Sequence, residues 1–94
     1  MVKKKKQLME EYKAKMEKAA AILKEISQSN MIPRNIRRTA DEALEILKDE
    51  SLSSGVRAAN AISTIEGVLH DPNMPSFARV KIWNAISELE TIHD

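Results

Sequence analysis

The chain has no cysteine, so disulfides, thiolate nucleophiles and Cys-bound zinc or iron clusters are all excluded. Its 94 residues include only two glycines, three prolines and three aromatics, and nowhere do Val, Ile, Thr and Tyr alternate as in a strand. No apolar run nears the roughly 18 residues that cross a bilayer, and the Lys3 to Lys6 run leads into polar sequence, not into a signal-peptide core. What remains is rich in Ala, Leu, Ile, Glu and Lys, a helix-former's composition. The expectation is one soluble, cytoplasmic, all-α domain spanning residues 1–94.

A net charge of +1 hides an asymmetry. Residues 1–40 carry eleven basic groups against four acidic ones, whereas residues 41–94 carry four basic against ten acidic. A basic first half and an acidic second half can attract within the fold, join two copies, or offer a basic face to an anion.

Three copies of one short pattern organise the chain: apolar, Pro or Ser, two variable residues, apolar, Arg. They are Ile32-Pro33-Arg34-Asn35-Ile36-Arg37, Leu52-Ser53-Ser54-Gly55-Val56-Arg57 and Met74-Pro75-Ser76-Phe77-Ala78-Arg79. They begin 20 and then 22 residues apart, one helix plus a short connection, so each marks a helix start, with Pro33 and Pro75 in the first turn and Ser53 capping. Helices are therefore expected over about 4–27, 33–48, 53–70 and 75–92.

The expected inward lines are Met9, Tyr12, Met16, Ala19, Leu23 and Ile26, then Ile36, Ala40, Ala43, Leu44 and Leu47. The third helix offers Ala58, Ala59, Ile62, Ile65 and Leu69, and the fourth Ala78, Ile82, Ala85, Ile86, Leu89 and Ile92, with Trp83 beside them. Gly67, placed mid-helix, is expected to make room for Trp83. Short connections favour an up-and-down four-helix bundle, and the repeated motif leaves a short helical-repeat-like α-solenoid as the alternative. A first helix of about 24 residues, at 1.5 Å each, overhangs the other three.

The segments Ile32-Pro33-Arg34-Asn35-Ile36-Arg37-Arg38, Val56-Arg57-Ala58-Ala59, Asp71-Pro72-Asn73-Met74-Pro75, Ile82-Trp83-Asn84 and Ser87-Glu88-Leu89-Glu90-Thr91-Ile92 resemble a family of small archaeal proteins, uncharacterised protein family number 0147. The resemblance spans roughly Glu10 to Ile92 and leaves out the Lys3 to Lys6 run. It implies a compact, bromodomain-like up-and-down bundle in an archaeal cytoplasm, and neither a function nor a site.

Chemistry-bearing residues are few. Glu90 and His93 supply one half of a di-iron helix motif, Glu66 and His70 have the wrong spacing, Ser63, Thr64 and Ser87 have no histidine to activate them, and Gly55 and Gly67 form no phosphate loop. The reading is a non-enzymatic protein with no cofactor, metal or small-molecule substrate. Its function is expected to be that of a scaffold or adaptor that binds a protein partner or itself. The candidate surface is Lys3, Lys4, Lys5, Lys6, Met9, Tyr12 and Met16, with self-association along the last three as its concrete form. The alternative is an accessory nucleic-acid binder using Lys3 to Lys6 with Arg34, Arg37 and Arg38, although three aromatics give no stacking platform. Arg37, Arg57 and Arg79 of the repeat are expected to turn back to carbonyls or acids of the preceding loop. Membrane binding is not expected, since only Leu8, Met9 and Tyr12 could insert.

Overall fold

A computed structural model describes residues 4–94, and within them four helices: α1 (Lys5–Ser27), α2 (Arg34–Lys48), α3 (Ser54–Glu66) and α4 (Ser76–Glu90). α1 packs on α2 and α4, α2 on α3, and α3 on α4. The α1·α4 contact closes the ring, which makes the molecule a bundle and removes the solenoid alternative. Cross-links fix the direction. Lys15 on α1 donates to Thr91 just past α4 at 2.6 Å, while Glu25, near the other end of α1, pairs with Lys81 early in α4 at 2.5 Å. α1 and α4 therefore run antiparallel.

The three motif copies sit at three equivalent helix starts. Pro33, Ser53 and Pro75 are the residues just before each helix, with extended ψ of 148°, 161° and 145°. Their carbonyls accept the N–H groups of Arg37, Arg57 and Arg79 at 3.0, 2.9 and 3.1 Å. The prolines thus stand one place earlier than the first-turn position expected of them. A proline's fixed φ suits this position too, its carbonyl takes the first helical bond, and no N–H is lost that the helix needs. Ser53 caps as expected, its Oγ accepting the Val56 N–H at 3.3 Å.

Buried residues are the expected ones on α2 (Ile36, Ala40, Ala43, Leu44, Leu47) and α4 (Ala78, Ile82, Ala85, Ile86, Leu89, followed by Ile92). Ile32 and Met74, the residues before the two prolines, are buried as well and plug one end of the bundle. Alanines 19, 40, 43, 58, 61, 78 and 85 are almost wholly covered, so these helix surfaces meet with little side chain between them.

Four expectations are corrected. α3 stops at Glu66, not at residue 70: Gly67 ends it, and four-residue turns, each closed by an N–H bonding the carbonyl three places back, carry the chain to Asp71. Glycine's poor helix propensity is enough to end a helix whose outer face has few stabilising pairs. A Cβ at Gly67 would meet only the Thr64 carbonyl, at 3.4 Å, so this glycine makes no room for Trp83. Trp83 is instead half in solvent. Ala61 takes the core place expected of Ala59, which is exposed, and Ile62 is only partly covered. On α1 the core begins at Met16, with Tyr12 half-buried and Met9 62% exposed. At 1.5 Å per residue α1 is about 34 Å long against about 20 to 22 Å for the others, so its first turns run past the end of the ring and leave Met9 mostly in solvent.

Candidate interaction surfaces

The overhang of α1 is the first surface. Lys5, Lys6, Met9, Glu10 and Lys13, with Ser54 of α3 across from them, line an open apolar groove of about 640 Å³. Lys4 is exposed at the helix start, and Lys3 lies outside the described residues. Met16, 8% exposed, belongs to the core, so the free part of the apolar seam is Met9 with the edge of Tyr12.

Arg34, Arg37 and Arg38 form the second surface, around a polar cleft of about 420 Å³ shared with Ser27, Gln28 and Asp41. This cleft is at the opposite end of α1 from Lys4 to Lys6, about 34 Å away along the helix. The two basic clusters therefore do not merge into one track.

The repeat arginines behave as a partial set. Arg57 Nη1 donates to the carbonyl of Leu47, in the last turn of α2, at 3.2 Å, and Arg79 Nη2 reaches the Asp71 carbonyl at 3.5 Å. Both turn back to the preceding segment, which ties one helix end to the next helix start. The Nε atoms of Arg37, Arg57 and Arg79 are all buried without an acceptor. None of the three forms a salt bridge among the described residues.

Three aspartates hold the connections. Asp49 accepts the Ser51 hydroxyl and N–H, which with the nearby Arg57 charge draws its pKa below the ordinary value. Asp71 accepts the Asn73 N–H and the Asn35 side-chain amide, both at 2.8 Å, and is lowered by these in that order. Asp94 reaches the start of α3, where it accepts the Ser53 hydroxyl at 2.7 Å and the Gly55 N–H at 2.9 Å. Those two bonds, the hydroxyl first, lower its pKa. A carboxylate beside exposed helix N–H groups also complements the positive end of the helix dipole. Sequence reading missed this cap, because nothing local joins residues 41 apart.

Sequence reading also missed the outer face of α4, where Phe77, Val80 and Trp83 are exposed. Among the described residues no three His, Cys, Asp or Glu side chains converge on a metal position, and no helix is long and apolar enough to cross a membrane.

Residues 2–92 match the family described as Uncharacterised protein family (UPF0147). The chain belongs to that family. The match includes Lys3 to Lys6, which the resemblance read from sequence left out, and stops short of Asp94. The UPF0147 protein of Sulfurisphaera tokodaii is 49% identical over 81 residues, covering 86% of this chain and 91% of the relative. That of Desulfurococcus amylolyticus is 51% identical over 80 residues, covering 85% and 88%. Among solved structures, the crystal structure of the unknown-function protein MMP1188 superposes with a TM-score of 0.82 at 41% identity, over 85% of this chain and 91% of that one. The four-helix ring is thus shared with a fold seen experimentally, and the surfaces above are where a role for this UPF0147 member has to be sought.

Proposed function

We propose that this UPF0147 member is a non-enzymatic cytoplasmic adaptor that seats an acidic amphipathic helix of a partner protein on the overhanging start of α1. The observation that carries the reading is Met9, an a/d-type seam residue left 62% exposed where the seam runs past the bundle. Lys5, Lys6 and Lys13 line the groove with it against one acid, Glu10, so the rim is net basic. A helix presenting leucines at i, i+3 and i+7 with glutamates alongside has the complementary pattern. The separation of the two basic clusters favours this over a nucleic-acid track, which needs contiguous cations along the backbone.

The test is a nitrogen-15 NMR titration with a designed Leu/Glu amphipathic peptide, a Leu/Lys version of it, and a short DNA duplex. Shifts confined to Met9, Tyr12, Lys13 and Ser54, caused by the acidic peptide alone and lost in Met9→Glu, support the reading. Met9 is chosen over Met16 because substitution of the buried Met16 would perturb the core. Binding of the basic peptide as well, or of the duplex in preference to either peptide, overturns it.

A further inference from the structure

α4 turns Ala78, Ile82, Ala85, Ile86 and Leu89 to the core. Its opposite face is Ser76, Phe77, Val80, Trp83, Asn84 and Ser87, all exposed and none charged. Two of the chain's three aromatics, including its only tryptophan, are on that face. By contrast, α2 faces solvent with Arg34, Arg38, Asp41, Glu42, Glu45 and Lys48. An uncharged stripe with an exposed tryptophan on a protein that is 31% charged has the composition of an interface centre.

The two edges of the stripe say what covers it. One edge carries Arg79 and, 11 residues on, about three turns, Glu90; the other carries Lys81 and, seven residues on, about two turns, Glu88. In both pairs the base comes first, so positive charge lies toward the start of α4 and negative charge toward its end, with no acid in the first turn and no base in the last. This order opposes the helix dipole within one chain. A second α4 laid antiparallel turns it into attraction. Arg79 and Glu90 stand equally far from the point between Asn84 and Ala85, and so do Lys81 and Glu88. A single two-fold register therefore satisfies both edges at once.

We propose that two copies of this chain associate through α4, antiparallel about a two-fold axis between Asn84 and Ala85. Arg79 of one copy meets Glu90 of the other and Lys81 meets Glu88, making four ion pairs around the apolar stripe. Along the helix, Val80 of one copy falls between Ser87 and Thr91 of the other, and the two Trp83 side chains flank the axis. The groups have capacity to spare. The Lys81 ammonium has three N–H bonds and uses one on Glu25; the Arg79 guanidinium spends one Nη2 N–H on the Asp71 carbonyl and keeps its other Nη donors; and neither Glu88 nor Glu90 forms an ion pair among the described residues. A face about 22 Å long and about 10 Å wide is well under the roughly 800 Å² per partner of a standard interface, so the pair is weak and reversible. This interface uses α4 and leaves the α1 groove free, so either can fail without the other.

Sedimentation equilibrium from about 5 μM to about 1 mM, with Trp83 emission recorded over the same dilution series, tests the proposal. The expected result is a monomer–dimer equilibrium in the high micromolar range, with emission shifting red on dilution. Val80→Glu, with an unchanged circular dichroism spectrum, abolishes both. Glu88→Lys with Glu90→Lys raises the dissociation constant at least tenfold, and Met9→Glu leaves it unchanged. A monomer throughout, a dimer that survives Val80→Glu, or one lost in Met9→Glu overturns the proposal.

Discussion

Ile82 and Trp83 are adjacent in sequence and opposite in environment, and replacing each by alanine separates the two faces of α4. Ile82 is fully buried, and Ile82→Ala removes three carbons worth about 0.8 kcal/mol each and leaves a cavity, for a loss of about 3.5 kcal/mol. Trp83 is 50% exposed, so its ring has about 100 Å² covered, worth about 2.5 kcal/mol at 25 cal/mol per Å². In Trp83→Ala the remaining methyl keeps part of that cover and alanine gains about 0.5 kcal/mol of helix propensity, which leaves a net loss of about 1.5 kcal/mol. Urea unfolding followed by far-UV circular dichroism at low micromolar protein, where association does not contribute, reads both. With a slope of about 1 kcal/mol per M, the two midpoints differ by more than about 1 M, Ile82→Ala being the lower. Should Ile82→Ala fail to fold, Ile82→Val gives a milder loss of about 1 kcal/mol on the same scale. A Trp83→Ala midpoint as low as that of Ile82→Ala would place the indole in the core, and the assignment of an outward α4 stripe would fall with it.

Arg57→Met keeps the aliphatic stem but releases the Leu47 carbonyl, and costs about 1 kcal/mol after allowance for partial exposure, checked by the same urea assay. Arg57→Lys is expected to recover only part of this, because an ammonium cannot serve Leu47 and Ser54 with the same planar fork. Asp49, Asp71 and Asp94 all have lowered pKa values when folded, so the unfolded chain takes up their protons first as the solution is acidified. Their contribution is complete above about pH 5 and is lost as pH falls through the folded values. For Asp94→Asn, the stability difference from the parent, measured by thermal melts across pH, is largest at neutral pH and shrinks in acid; a pH-independent difference would refute the charge-based cap.

α2 and α4 were legible almost residue by residue because Ile36, Leu44 and Leu47, and Ile82, Ile86 and Leu89, are bulky enough to fix the phase of each helix. On α3 the phase depends on Ala58, Ala59 and Ala61, which hydropathy cannot rank, and the expected face came out rotated. Trp83 misled through its size. Its neighbours Ile82 and Ile86 already fill the stripe that points inward, so the indole had no place there. On α1 both the seam and the overhang were legible, because the expected helix lengths already made the first helix the longest; what the seam did not reveal is where burial starts, since Met9 continues the pattern but the core begins at Met16.

The repeated motif marks the boundary between what local chemistry decides and what it leaves to the fold. Each copy builds the same first turn, with an extended residue whose carbonyl accepts the N–H of the arginine four places on. That much depends on backbone geometry within one turn. What each arginine side chain meets depends on where the previous helix ended. Arg57 finds the last turn of α2, and Arg79 finds the Asp71 turn. Arg37 follows the longest helix and instead shares a cleft with Arg34, Arg38 and Asp41. The residues that distinguish this surface, Met9 beyond the ring and Phe77, Val80 and Trp83 outside it, are apolar in sequence like any core residue. Where the neighbouring helices end leaves Met9 open, and the packing of α4 on α1 and α3 leaves Phe77, Val80 and Trp83 outside.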